Sequence, residues 1–89
     1  MSTKPSAGIN YFPEDNKTKV IYSVVDTLKD IIPIENDRYR LSFCINMLVK
    51  GEIHSLINAI EQADPRSSAL NYKELEQKLN PLLKEKEIL

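Results

Sequence analysis

The chain has 89 residues, 42% of them hydrophobic and 28% charged, with a formal net charge of −1. That is enough apolar material for one small core and too much for wholesale disorder, while the near-neutral, well-mixed charge is not the basic footprint of a protein that tracks a phosphate backbone. A single cysteine, Cys44, excludes an internal disulfide, and no stretch approaches the ~18 apolar residues of a membrane span. The opening "MSTKPSAGIN" lacks the apolar core of a secretory signal, so a cytoplasmic protein is expected.

Small polar residues with Pro5 and Gly8 make residues 1–12 a flexible amino-terminal tail, followed by one helical domain at 13–89. The tail ends unusually, in "INYFPEDN" at 9–16, where Ile9, Tyr11 and Phe12 precede Pro13. Proline suits the first turn of a helix, where its missing N–H would have no partner, and Glu14 and Asp15 suit the same positive dipole end. Tyr11 and Phe12 either staple back onto that helix or form a short docking peptide.

Over 14–32 the apolar residues Val20, Ile21, Val24, Val25, Leu28, Ile31 and Ile32 recur at three- and four-residue intervals, which predicts a first helix stopped by Pro33. A second helix is expected over 38–50, with Asn36 or Asp37 as its N-cap. It contains "LSFCINMLV" at 41–49, in which seven of nine side chains are apolar. Arg38, Ser42, Asn46 and Lys50 align into one narrow polar stripe, leaving a helix apolar around most of its circumference that must be covered from several sides.

Gly51 is either the C′ residue that ends the second helix or a tolerated glycine in a longer one running to Ala63, with a break or kink favoured; the stripe of Ile53, Leu56, Ile57 and Ile60 that follows is helical on its own phase. "DPRSS" at 64–68 is a loop. Asn71 and Glu74 form a capping box for a fourth helix with a seam of Tyr72, Leu75, Leu79, Leu82 and Leu83. Pro81 kinks that helix or opens a final short one, and the closing "KEKEIL" reads as frayed. The expected fold is therefore all-α, a small bundle of about four helical segments.

Little in this chain carries chemistry. His54 falls on a polar helix side and Cys44 inside the apolar run, so they do not pair as base and nucleophile. One histidine and one cysteine make a poor metal site, and the Asp26/Asp30 pair, with Lys29 between, reads as a solvated face. No enzyme, cofactor or metal is expected. "DRYR" at 37–40 is the candidate for anion or nucleic-acid contact: Arg38 and Arg40 lie near a helix N-terminus and Tyr39 can stack. The competing reading pairs those arginines with Glu35, Asp37 or a carboxylate on a neighbouring helix.

"LSFCINMLV" can be the centre of a monomer's core or partly an interface. For so small a domain, leaving ~100 Å² of such surface wet forgoes ~2.5 kcal/mol, a large share of its stability. A protein partner or homodimer is therefore expected, contacting Phe43 and Met47, with Tyr11 and Phe12 as further docking residues. The leading function is a non-catalytic interaction module: a regulator, adaptor or inhibitor. The alternative is a dimeric helix–turn–helix nucleic-acid binder.

Overall fold

The computed structural model describes residues 16–89, in which the helical recurrence of apolar side chains becomes α1 (Asn16–Asp26), α2 (Glu35–Val49), α3 (Leu56–Ala63) and α4 (Tyr72–Glu85). Among the described residues there is no strand, and the all-α reading holds. The expected tail at 1–12, with Tyr11 and Phe12, and the expected helix start at Pro13 lie outside the described residues.

α2 packs against α1 on one side and α3 on the other, and α4 closes against α3 and α1. One core results, centred on the fully buried Ile21, Val25, Ile32, Leu41, Ile45, Ile60, Leu75, Leu79 and Leu83. No helix among the described residues is long and apolar enough to cross a membrane.

The first helix is shorter than its apolar pattern. Regular α-helix ends at Asp26, where the Thr27 hydroxyl donates to the Val24 carbonyl at 2.6 Å and competes with the helical ladder. The backbone then tightens, with N–H groups of Leu28 and Ile31 bonding the carbonyls of Val25 and Leu28, each at 2.9 Å. Leu28 and Ile32 stay buried through these turns, so the apolar period outlasts the helix that produced it.

α2 begins earlier than expected and with a different cap. Its N-cap is Ile34, which makes no side-chain capping bond. Neither Asn36 nor Asp37 caps the helix; both lie in it, and the Asp37 carboxylate instead accepts the Ser67 N–H at 2.9 Å across the α3–α4 loop. The polar stripe is also turned inward. Arg38, Ser42 and Asn46 are buried, and only Lys50 of the four is exposed.

Burying that stripe is tolerable because most of its polar groups find hydrogen-bond partners, the buried Arg38 Nε alone having an ion-pair neighbour in place of a hydrogen bond. Ser42 Oγ donates to the Arg38 carbonyl at 2.9 Å, and Thr18 Oγ1 on α1 donates to Asn46 Oδ1 at 3.4 Å. Arg38 Nη1 donates to the carbonyls of Ile32 at 2.7 Å and Pro33 at 3.1 Å, while its Nε faces Asp26 Oδ1 at 3.4 Å.

The break at Gly51 is real and has a full C-cap. Gly51 adopts φ +84°, and the N–H groups of Gly51 and Glu52 bond the carbonyls of Leu48 at 3.1 Å and Met47 at 2.8 Å. His54 therefore precedes α3 rather than lying on it, and Ser55 is the N-cap, accepting the Asn58 N–H. The Asn71–Glu74 capping box forms at α4, which runs through Pro81 without a second helix starting there.

The closing residues are not frayed. Glu87 adopts φ +62°, and the N–H groups of Glu87 and Ile88 bond the carbonyls of Lys84 at 3.0 Å and Leu83 at 2.8 Å. This is the same cap as at Gly51 without the glycine, and Ile88 folds back into the core, buried beside Leu83.

Candidate functional site

Once α2 has given one side to α1 and another to α3, its remaining face is left open by the described residues. Asn36, Tyr39, Arg40, Phe43 and Cys44 from α2 meet Gln62 and Ala63 from α3 around a groove of about 370 Å³. Cys44 and Ala63 are buried among these, whereas Phe43 is 45% exposed and is the only exposed side chain in 41–49. The groove continues past Arg40 toward Asp64, Arg66, Ser67 and Ile34, the last 55% exposed.

The rim is held by a network of paired charges. Arg40 Nη2 donates to Asp37 Oδ1, and its Nε donates to the Ala63 carbonyl at 3.1 Å, capping the end of α3. Burial would raise the Asp37 carboxyl, but its hydrogen bonds from Ser67 and the Arg40 guanidinium hold it below its ordinary value of 3.8. Beyond it, Asp64 accepts from the Tyr72 hydroxyl and from Arg66 Nε at 2.8 Å, and these two bonds likewise hold its carboxyl low. Each rim arginine thus faces a carboxylate.

On the α1 side, Tyr39 stacks on Tyr22 with ring centroids 5.2 Å apart and 16° between planes. A hydrogen bond shared with Tyr22, together with burial and a 3.1 Å bond to Glu35, pushes the Tyr39 hydroxyl above the ordinary phenol range. Burial also pushes the Cys44 thiol up, which Arg40 only partly offsets. A protonated thiol under a groove floor is a poor nucleophile. His54 is exposed, and among the described residues no group of three His, Cys, Asp or Glu side chains is placed to hold a metal ion.

The structure brings together Tyr39, Arg40 and Phe43, which the sequence assigned to two different roles. It separates the rest. Arg38 points away from the groove into the α1–α2 interface, and Met47 is half-buried against the core. Tyr11 and Phe12 lie outside the described residues. Asn36, Gln62, Ala63 and Ile34 were missed. Ile34, a large aliphatic between Pro33 and Glu35, was a visible oddity; Gln62 and Ala63 join the site only through the α2–α3 packing, which no local pattern announces.

Among the described residues, fold and site together define a small four-helix unit with an aromatic-rimmed groove between two helices. No protein-family model, no curated protein and no solved structure matches this chain.

Proposed function

We propose that this chain is a non-catalytic helical interaction module of the cytoplasm that self-associates through the α2–α3 groove. The carrying observation is Phe43, half-exposed above a floor of Cys44 and Ala63 while the other eight residues of 41–49 are buried or half-buried. A large aromatic beside a pocket is the usual form of an interface anchor.

The occupant that fits is a second copy. The rim charges Asp37, Arg40, Asp64 and Arg66 are balanced within each copy, so two copies related by a two-fold axis meet without stranding a charge while each Phe43 enters the other copy's groove. Nucleic acid gains no support: Arg38 is buried, and Arg40 and Arg66 are each already paired with a carboxylate. A buried, protonated Cys44 suits a reducing compartment.

Light scattering behind a sizing column tests this reading. The expected mass rises with loading from the 10.2 kDa of one chain toward twice that. Phe43→Ala is expected to weaken the dimer by roughly 30-fold, an anchor's contribution of about 2 kcal/mol, with the helical circular dichroism unchanged. A mass fixed at one chain up to roughly millimolar concentration overturns the reading.

A further inference from the structure

We infer that the two copies pair antiparallel along α2, with the two-fold axis beside Phe43, and that an ion pair between Glu35 of one copy and Lys50 of the other fixes this orientation; the inference rests on the self-association reading above.

The open face of α2 is a stripe. Asn36 and Lys50 lie one heptad before and after Phe43, each within about 20° of it around the helix, and Tyr39 and Met47 fall between them at about 40° to either side. Phe43 is exposed, Tyr39 and Met47 are half-buried, and the two ends of the stripe are polar and exposed. In helix pairs with this layout the apolar centre gives adhesion, while polar positions at heptad spacing set register and orientation.

The charges lining the groove cannot choose an orientation, because Asp37 is paired with Arg40 and Asp64 with Arg66 inside each copy. Two charges along α2 remain. Glu35 and Lys50 are exposed, and among the described residues neither is in an ion pair; Glu35 accepts the Tyr39 hydroxyl at 3.1 Å. They stand at opposite ends of α2, about 22 Å apart at ~1.5 Å per residue, so they cannot meet within one chain.

An antiparallel pair centred on Phe43 lays position 36 over position 50. Each Glu35 then comes within one residue of the other copy's Lys50, and symmetry makes the contact twice. A parallel pair would set Glu35 on Glu35 and Lys50 on Lys50, and the helix dipoles disfavour it as well. Glu52, the next exposed acid, has turned off the stripe past Gly51 and lines a separate concavity with His54 and Asn58.

Charge reversal in the full chain tests the pairing, read as the dimer dissociation constant from sedimentation equilibrium at low salt. Glu35→Lys and Lys50→Glu each turn two attractive contacts into repulsive ones and are expected to weaken the dimer about tenfold, with the helical circular dichroism unchanged. Mixing the two variants restores opposite charges at both contacts, so the mixture is expected to associate with nearly the wild-type affinity, as is the double variant Glu35→Lys/Lys50→Glu by itself. Salt at about 1 M, where the screening length is ~3 Å, should erase these differences.

Variants that dimerise as the wild type does, or a mixture no tighter than either variant alone, overturn the antiparallel pairing; a wild-type dimer still weakened by Phe43→Ala then leaves self-association standing without it. A wild-type chain that stays monomeric overturns both.

Discussion

Arg38 and Arg40 are two residues apart, carry the same charge and are predicted to differ severalfold in what they contribute to folding. The Arg38 side chain is 9% exposed and that of Arg40 is 50% exposed. Arg38→Ala removes a charged donor from the carbonyl of Ile32, itself fully buried, and a bond of that kind contributes about 1.5–3 kcal/mol. The Pro33 carbonyl is open enough for water to replace the guanidinium, and the Asp26 partner is 44% exposed, so each adds about 1 kcal/mol or less.

The expected loss is therefore about 3 kcal/mol, which for a domain this size lowers Tm by roughly 12–24 °C. Arg40→Ala should cost about 1 kcal/mol, because Asp37 keeps its Ser67 hydrogen bond. Arg38→Lys should recover less than half the loss, since one ammonium cannot span both carbonyls and Asp26 as the planar fork does. Urea unfolding followed by circular dichroism measures all three. An Arg38→Ala loss below about 1 kcal/mol, or no larger than that of Arg40→Ala, would refute the account of the α1–α2 seam.

The two left-handed caps predict opposite signs. Gly51→Ala, with nothing within 4 Å of the added Cβ, should lose about 1 kcal/mol from backbone conformation alone, whereas Glu87→Gly should gain a similar amount; urea midpoints decide both. Acid should also unfold the chain through identifiable groups. Asp37 and Asp64 lie below their unfolded value of 3.8, so their stabilisation is complete above it and is lost as pH falls through the lowered folded values. Asp37→Asn should therefore flatten part of the acid limb in unfolding midpoints between pH 7 and pH 2, and an unchanged slope would count against the Ser67–Asp37–Arg40 latch.

What could be read in the sequence was the part set by local period and capping. The recurrence from Val20 to Ile32, the stop at Gly51 and the Asn71–Glu74 box are all short-range effects, and each is present. The rotation of α2 could not be read, because its circumference is apolar nearly all round and periodicity then has no preferred direction. Packing settled it. Turning Arg38, Ser42 and Asn46 under α1 required distant partners, the Ile32 and Pro33 carbonyls, Asp26 and Thr18, none of which a helical wheel displays. The Glu87 cap was missed because a glutamate gives no signal for φ +62°; the signal available was Ile88, an aliphatic one residue beyond it.

The same rotation explains why the candidate site exists. A helix with one polar stripe would ordinarily present that stripe to water and bury the remainder, leaving no aromatic at the surface. Here the stripe is used to fix α1 against α2 through directional bonds, which specify register as well as adhesion. The face left over is the one carrying Asn36, Tyr39, Arg40 and Phe43, and among the described residues it is flanked by Tyr22 of α1 and by the short α3. Substituting the whole stripe with apolar residues, Arg38→Met, Ser42→Ala and Asn46→Leu together, removes that directional preference. The expected result is a folded chain whose α1 amides exchange hydrogen no faster, but in which α1 and α2 give more than one set of resonances and Phe43 no longer marks a single face. One sharp set of resonances in that variant would show that apolar packing alone orients α2 and that the buried stripe does not place the groove.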